Sequence, residues 1–243
     1  MSPKSIVPLK PWDKFSVSAG FTTRNFSVLL KKTEEISEIF NQEKLRTAWK
    51  NDGYIFLNQV HGGEIAVIEK GKTPQNGEFL RVPETDGVLT DASGCALLVL
   101  TADCLSIFFC AMKDKKASWI GLVHAGWRGT KETIAQKAFI LLMKKARCPA
   151  QDIHIAFGPS IGAGSYEVGE EFQENFPAES LRRIKGKLFF DLAGENKRQL
   201  VEAGADPKNI SDVKIDTFSD KNFYSFRREK ENAGRMISFI FKR

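Results

Sequence analysis

The residues best suited to chemistry in this chain are a cysteine and two histidines, each placed where a short apolar run stops. Leu100-Thr-Ala-Asp-Cys-Leu105 delivers Asp103 and Cys104, and Gly121-Leu-Val-His-Ala-Gly-Trp-Arg-Gly-Thr130 delivers His124 followed by a glycine-rich turn. Upstream, Asn58-Gln-Val-His-Gly-Gly63 places His61 after another apolar run. The chain holds three histidines in all, and two stand in these glycine-flanked contexts. One sulfur and two imidazole nitrogens are a donor set that zinc accepts in a tetrahedron, and a catalytic site leaves the fourth position to water or substrate. The three lie far apart in sequence, so spacing alone carries weak specificity. The bland rival makes Cys104 a core cysteine and the histidines loop residues bonded to backbone. A second chemistry fits the same residues, with Cys104 as nucleophile, His124 as base and Asp103 or Asn58 orienting the ring. A metal would quench that thiolate, so the two readings exclude each other, and His61 as a third ligand favours the metal.

The glycine turns offer anion sites. Gly126-Trp-Arg-Gly129 opens a helix whose free N–H groups, with Arg128, suit an anion such as phosphate. It lacks the lysine pattern of a P-loop, and Gly158-Pro-Ser-Ile-Gly-Ala-Gly164 fails the dinucleotide fingerprint because Glu167 stands where a third glycine belongs. His154, between Ile153 and Ile155, reads as structural. Arg227, Arg228 and Arg235, amid Phe223, Tyr224 and Phe226, read as a solvated or ion-paired edge rather than a base-stacking surface.

The elements that must position these residues follow from hydrophobic period. Strands are expected over Phe15 to Thr23, Tyr54 to Leu57, Glu64 to Glu69, Gly87 to Thr90 and Ile153 to Phe157. Leu97 to Phe109 and Ala117 to Val123 read as two central strands buried on both faces, separated by the charged break Lys113 to Lys116. Helices are expected over Lys32 to Asn51, after a cap at Thr130 with Ile134, Ala138, Leu141 and Leu142 on one face, and over Leu192 to Ala203 before Gly204. Gly71 to Pro83 reads as a polar loop, and Phe223 to Phe241 as a strand-rich tail. Alternating strands and helices argue one α/β domain over residues 1–243.

Composition sets the bounds. A chain of 243 residues with 42% apolar and 27% charged residues has the make-up of an ordinary globular protein with a sizeable core. The net charge of +6 comes from 36 basic and 30 acidic residues that are mostly interleaved. That suits an anionic small ligand and falls short of a nucleic-acid footprint. Four cysteines are too few for a disulfide scaffold, and Cys95 and Cys110 read as small buried hydrophobes. No signal peptide or membrane span is expected, because the proline-broken N-terminus lacks an apolar core and the run from Cys95 to Met112 carries Asp103 at its centre. The expected location is the cytoplasm.

Taken together these segments resemble the laccase-domain family, the YfiH type also called polyphenol-oxidase-like. The matching segments run in family order: Gly20-Phe-Thr-Thr-Arg24, Gln59-Val-His-Gly62, Asp86 with Thr90, Thr101-Ala-Asp-Cys104 and His124-Ala-Gly-Trp-Arg-Gly129. They continue through Gly158-Pro-Ser-Ile-Gly162, Tyr166-Glu-Val-Gly169, Phe223-Tyr-Ser-Phe-Arg-Arg228 and Gly234-Arg-Met236. The resemblance implies a single-domain α/β fold of mixed sheets, with zinc held by His61, Cys104 and His124. Two departures stand out. Asn25-Phe-Ser-Val28 replaces the family's usual Gly-Gly-Val-Ser, and Asp216 stands where a cysteine is common.

What the resemblance implies about activity is a zinc-dependent purine nucleoside phosphorylase acting on adenosine, inosine, guanosine and methylthioadenosine, with adenosine deaminase activity. Asp103 is the expected proton carrier or, equally, a partner that orients a histidine, and Arg24 and Arg128 are the expected anion holders. Asn58, Gln59, Ser160 and Tyr166 are expected to contact substrate. Some relatives resemble a peptidoglycan-editing hydrolase of a misloaded muramyl nucleotide, and a metal-free cysteine hydrolase or a non-catalytic zinc-bearing module are the other readings. A multicopper oxidase fails by counting, since one blue-copper site takes two histidines and a cysteine and leaves one histidine for every other copper. The partners expected are a nucleoside and phosphate, with no nucleic acid and no membrane.

Overall fold

The computed structural model describes residues 5–9, 12, 15–26 and 53–243. The helix expected over Lys32 to Asn51 lies outside the described residues. The strands, in chain order, are β1 (Ile6–Pro8), β2 (Val17–Thr22), β3 (Gly53–Leu57), β4 (Ile65–Val67), β5 (Glu78–Val82), β6 (Gly87–Thr90), β7 (Cys95–Thr101) and β8 (Leu105–Lys113). Then follow β9 (Lys116–Ala125), β10 (Ile153–Phe157), β11 (Glu167–Val168), β12 (Leu181–Ile184), β13 (Lys187–Phe190), β14 (Ile210–Asp212) and β15 (Met236–Lys242). The α-helices are α1 (Trp127–Lys131), α2 (Ile134–Ala146), α3 (Leu192–Glu202) and α4 (Phe226–Glu229).

The strands form two six-stranded mixed sheets, ordered β1-β2-β15-β7-β3-β5 and β14-β10-β8-β9-β6-β4, with a small third sheet β11-β13-β12. Side chains alternate across a strand, and that period sorts the core. Ile107 and Phe109 of β8 face α2 and α3, where they meet Ala138, Phe139, Leu142 and Leu200. Phe108 and Cys110 face the other way, onto Val99, Leu97 and Phe21 of the first sheet. The outer face of the first sheet carries Tyr54, Phe56, Leu98 and Phe239. β7 and β8 are therefore apolar on both sides, as the long run predicts. Among the described residues no helix is long and apolar enough to cross a membrane.

Four expectations change. The run Leu97 to Phe109 is two strands in different sheets, because Ala102-Asp103-Cys104 turns the chain and Asp103 takes φ +88°. Gly71 to Pro83 holds β5, which pairs in parallel with β3 from Gly53↔Glu78 to Leu57↔Val82. Thr130 does not cap the long helix: it is buried inside α1 with its hydroxyl donating to the Gly126 carbonyl at 2.9 Å. The break before α2 comes at Thr133, which sits in the left-handed region at φ +59°. The tail's first half is a turn and α4, with only Met236–Lys242 in a strand. The charged break is a tight hairpin, Lys113↔Lys116, closed by Asp114 and Lys115 at φ +50° and +62°, the twist that two-residue hairpins favour.

Candidate metal centre and its cavity

Sheet order collects the site. β8 begins just after Cys104, its antiparallel neighbour β9 ends just after His124, and β6, next to β9, begins just after Asp86. His61 precedes β4, the strand beyond β6. The register Leu105↔Ala125 sets Cys104 across from Gly126. A Cβ built on Gly126 would come 2.9 Å from the Cys104 sulfur and 3.3 Å from the His61 ring, so glycine leaves the space in which those groups meet. The donor atoms of His61, Cys104 and His124 lie within 4.8 Å of one another.

Asp86, fully buried, ties the cluster together. Its carboxylate accepts the backbone N–H groups of Val60, His61 and Gly62 at 3.1, 3.0 and 2.8 Å. The same carboxylate lies 2.7 Å from His124 Nδ1. An ionised carboxylate only accepts, so His124 Nδ1 carries the proton and Nε2 is free to ligate. His61 is held in left-handed backbone at φ +63° by these bonds to its own loop.

The side chains of the cluster shift one another's proton affinities strongly. Burial pushes the Cys104 thiol up, but the charge and hydrogen bond of His124, and then of His61, override it and bring it to about 6. Burial pushes His124 down, while the Cys104 thiolate and the Asp86 hydrogen bond raise it to about 9. Burial would raise Asp86, but the His124 hydrogen bond and charge and the backbone N–H donors hold it below the usual carboxylate range. Cys104 and His124 thus pair as a thiolate beside an imidazolium, so His124 would give up its Nε2 proton on ligating an ion. The donor types that result, one thiolate and two imidazoles with a carboxylate behind one of them, suit zinc.

The cluster opens on a cavity of about 870 Å³. Of the residues expected to take part, Asp103, Asn58, Gln59, Tyr166 and Arg128 line it with His61, Cys104 and His124. Gln59, however, spends its amide on Leu100, accepting from the Leu100 N–H at 2.7 Å and donating to its carbonyl at 2.8 Å. Ser160 and Arg24 are not on the lining. Ser160 is buried, with its backbone tied to Ile215 and Thr217, and the Arg24 guanidinium is spent on the Lys221 and Phe223 carbonyls and the Glu229 carboxylate. The two Asp103 oxygens accept from Thr217 Oγ1 and the Arg227 N–H, each at 2.6 Å. The residue that orients a histidine is Asp86.

Arg227 and Arg235, expected on an edge, line the cavity with Lys230, whereas Arg228 is ion-paired with Glu229 as expected. Arginines between aromatic residues were the signal, and nothing local to the sequence says which of the three turns inward. Burial, then the Cys104 charge, push the Tyr166 phenol up, and Arg227 lies 5.4 Å from its ring centroid.

A family model described as multi-copper polyphenol oxidoreductase laccase matches residues 17–243. A relative from Geobacillus stearothermophilus named purine nucleoside phosphorylase YlmD is 30% identical over 224 residues, 86% of this chain and 81% of that protein. The crystal structure of YlmD from that organism has a TM-score of 0.84 at 27% identity, covering 100% of this chain and 98% of that one. A crystal structure of the Bacillus licheniformis hypothetical protein YfiH has a TM-score of 0.85 at 27% identity, with the same coverage.

Proposed function

We infer that this chain, which belongs to the multi-copper polyphenol oxidoreductase laccase family, is a zinc-dependent purine nucleoside phosphorylase that also deaminates adenosine. The observation that carries this reading is the convergence of His61, Cys104 and His124 on the floor of a cavity that also presents Arg128 and Arg227. His61, Cys104 and His124 Nε2 are the groups that would hold the ion. A bound zinc ion supplies a Lewis-acidic open position for an oxygen of phosphate or for water. Copper chemistry of the multi-centre kind is disfavoured by the donor count, since the third histidine, His154, stacks on Phe15 at 5.0 Å.

The residues then divide the work. Arg128 and Arg227 orient phosphate for attack on the ribose anomeric carbon while the bond to the purine breaks. Leu100, Ile161, Leu192 and the Tyr166 ring offer an apolar surface to the flat base. Asn58 keeps its amide N–H groups for the sugar or base, its oxygen being taken by Arg81 at 3.2 Å. Asp103 is the sole carboxylate of the lining among the described residues, so it is the group assigned to take and return a proton during deamination.

The test is chromatography of adenosine incubated with the zinc-loaded protein, with and without phosphate. The expected products are adenine and ribose 1-phosphate when phosphate is present, and inosine in either case. Adenosine recovered intact under both conditions would overturn the reading.

A further inference from the structure

Among the described residues four cations face the cavity, Arg128, Arg227, Lys230 and Arg235. None of them pairs with a carboxylate among the described residues, whereas Arg24 and Arg228 pair with Glu229, Arg183 with Glu170 and Arg198 with Glu195. Unpaired like charges gathered around one space repel, and an anion entering that space relieves them. The Asp103 carboxylate on the same lining, which accepts from Thr217 and the Arg227 N–H, is one negative charge against these four positive ones.

The four fall into two groups. Arg128 lies 4.9 Å from the Trp127 ring and Arg227 lies 5.4 Å from the Tyr166 ring. Both rings pack on Phe172, with centroids 5.3 and 6.2 Å away, so these two guanidiniums share one aromatic wall. Lys230 and Arg235 belong instead to the segment that leaves α4. The Arg235 guanidinium lies 5.9 Å from the Phe226 ring, with one nitrogen anchored on the Ala233 and Gly234 carbonyls. Lys230 is fixed in left-handed backbone at φ +53°, and Phe226 keeps 41% of its surface exposed despite its size. One inorganic phosphate answers the first pair. An uncharged nucleoside leaves the second pair without a counterpart.

We propose that Lys230 and Arg235, beside the exposed face of Phe226, form a second anion subsite that takes the 5′-phosphate of a purine nucleoside monophosphate. The proposal rests on the nucleoside reading of the cavity. Arg235 contributes a planar fork of donors and Lys230 a point charge, the two kinds of group that hold phosphate oxygens.

Equilibrium dialysis of the zinc-loaded protein against adenosine and against adenosine 5′-monophosphate tests it. The monophosphate is expected to bind about tenfold more tightly than adenosine, as charge-assisted hydrogen bonds require. In Lys230→Ala/Arg235→Ala the two affinities should converge, and the charge reversal Lys230→Glu at an exposed position should produce the same convergence. Equal affinities in the unaltered protein would overturn the subsite while leaving the nucleoside site standing. An advantage kept in both variants would place the 5′-phosphate elsewhere and overturn it too. If adenosine itself fails to bind, the nucleoside reading falls and the subsite falls with it.

Discussion

Asp86 does the most for the candidate centre without touching an ion: it fixes the His124 tautomer and gathers the backbone of residues 60–62 beneath His61. Asp86→Asn keeps the shape and removes the charge, so the amide cannot serve every donor now facing it. Zinc affinity, measured by competition with a chromogenic chelator, should fall about 10- to 100-fold with the fold intact, and an unchanged affinity would mean that the aspartate only shapes the loop. The grouping of His61, Cys104 and His124 was legible in the sequence because a chain with three histidines offers few ways to assemble such a cluster. Asp86 was legible only as a family match, because its role depends on β6 lying next to β9. Gln59 lines the cavity, but its amide is engaged elsewhere. A polar residue two positions before a ligand looks like a substrate contact, yet its amide closes a backbone gap at Leu100.

At the scale of elements, α2 braces the strand ends that carry Cys104 and His124. Its buried face, Ile134, Ala135, Ala138, Phe139 and Leu142, repeats at helical spacing and packs on β8 and β9 through Ile107, Phe109 and Val123. Phe139→Ala leaves a cavity in that contact and should cost about 3–5 kcal/mol in urea unfolding; a loss under ~1 kcal/mol would show that the site collapses around the gap. The body of this helix was legible from its period, though its start was expected at Thr130 rather than Thr133, and β6, β10 and α3 were legible from period and bounding glycines. The division of β7 from β8 was not, because both strands are apolar on both faces and the left-handed turn at Asp103 has no glycine to announce it. β5 was hidden by the polar residues of a strand that is exposed at Glu78 and Arg81 and lies on a sheet edge.

Across the molecule, the third sheet and α3 are joined to the site through a buried polar network. Glu195 accepts from Ser180, Arg198 and Gln199, while Asn196 and Gln199 donate to Thr130 in α1 at 2.9 Å each. Burial would raise Glu195, but the hydrogen bonds from Arg198, Ser180 and Gln199 hold it below its ordinary 4.5. A lowered folded value means that the stabilisation is present in full above about pH 4.5 and is lost as pH falls through the lowered value. Glu195→Gln should therefore unfold at a lower temperature than the unaltered protein at neutral pH, and the gap should narrow in acid below that range. A gap independent of pH would assign the loss to packing instead.

The central claim is that one metal ion, held by His61, Cys104 and His124, is required for turnover of a nucleoside with phosphate. The most direct measurement is zinc content by elemental analysis, paired with adenine release in the same samples, for the unaltered protein and Cys104→Ala. The account predicts near-stoichiometric zinc with phosphate-dependent adenine release in the first, and the loss of both in the second. A metal-free Cys104→Ala that still releases adenine at the unaltered rate would contradict it.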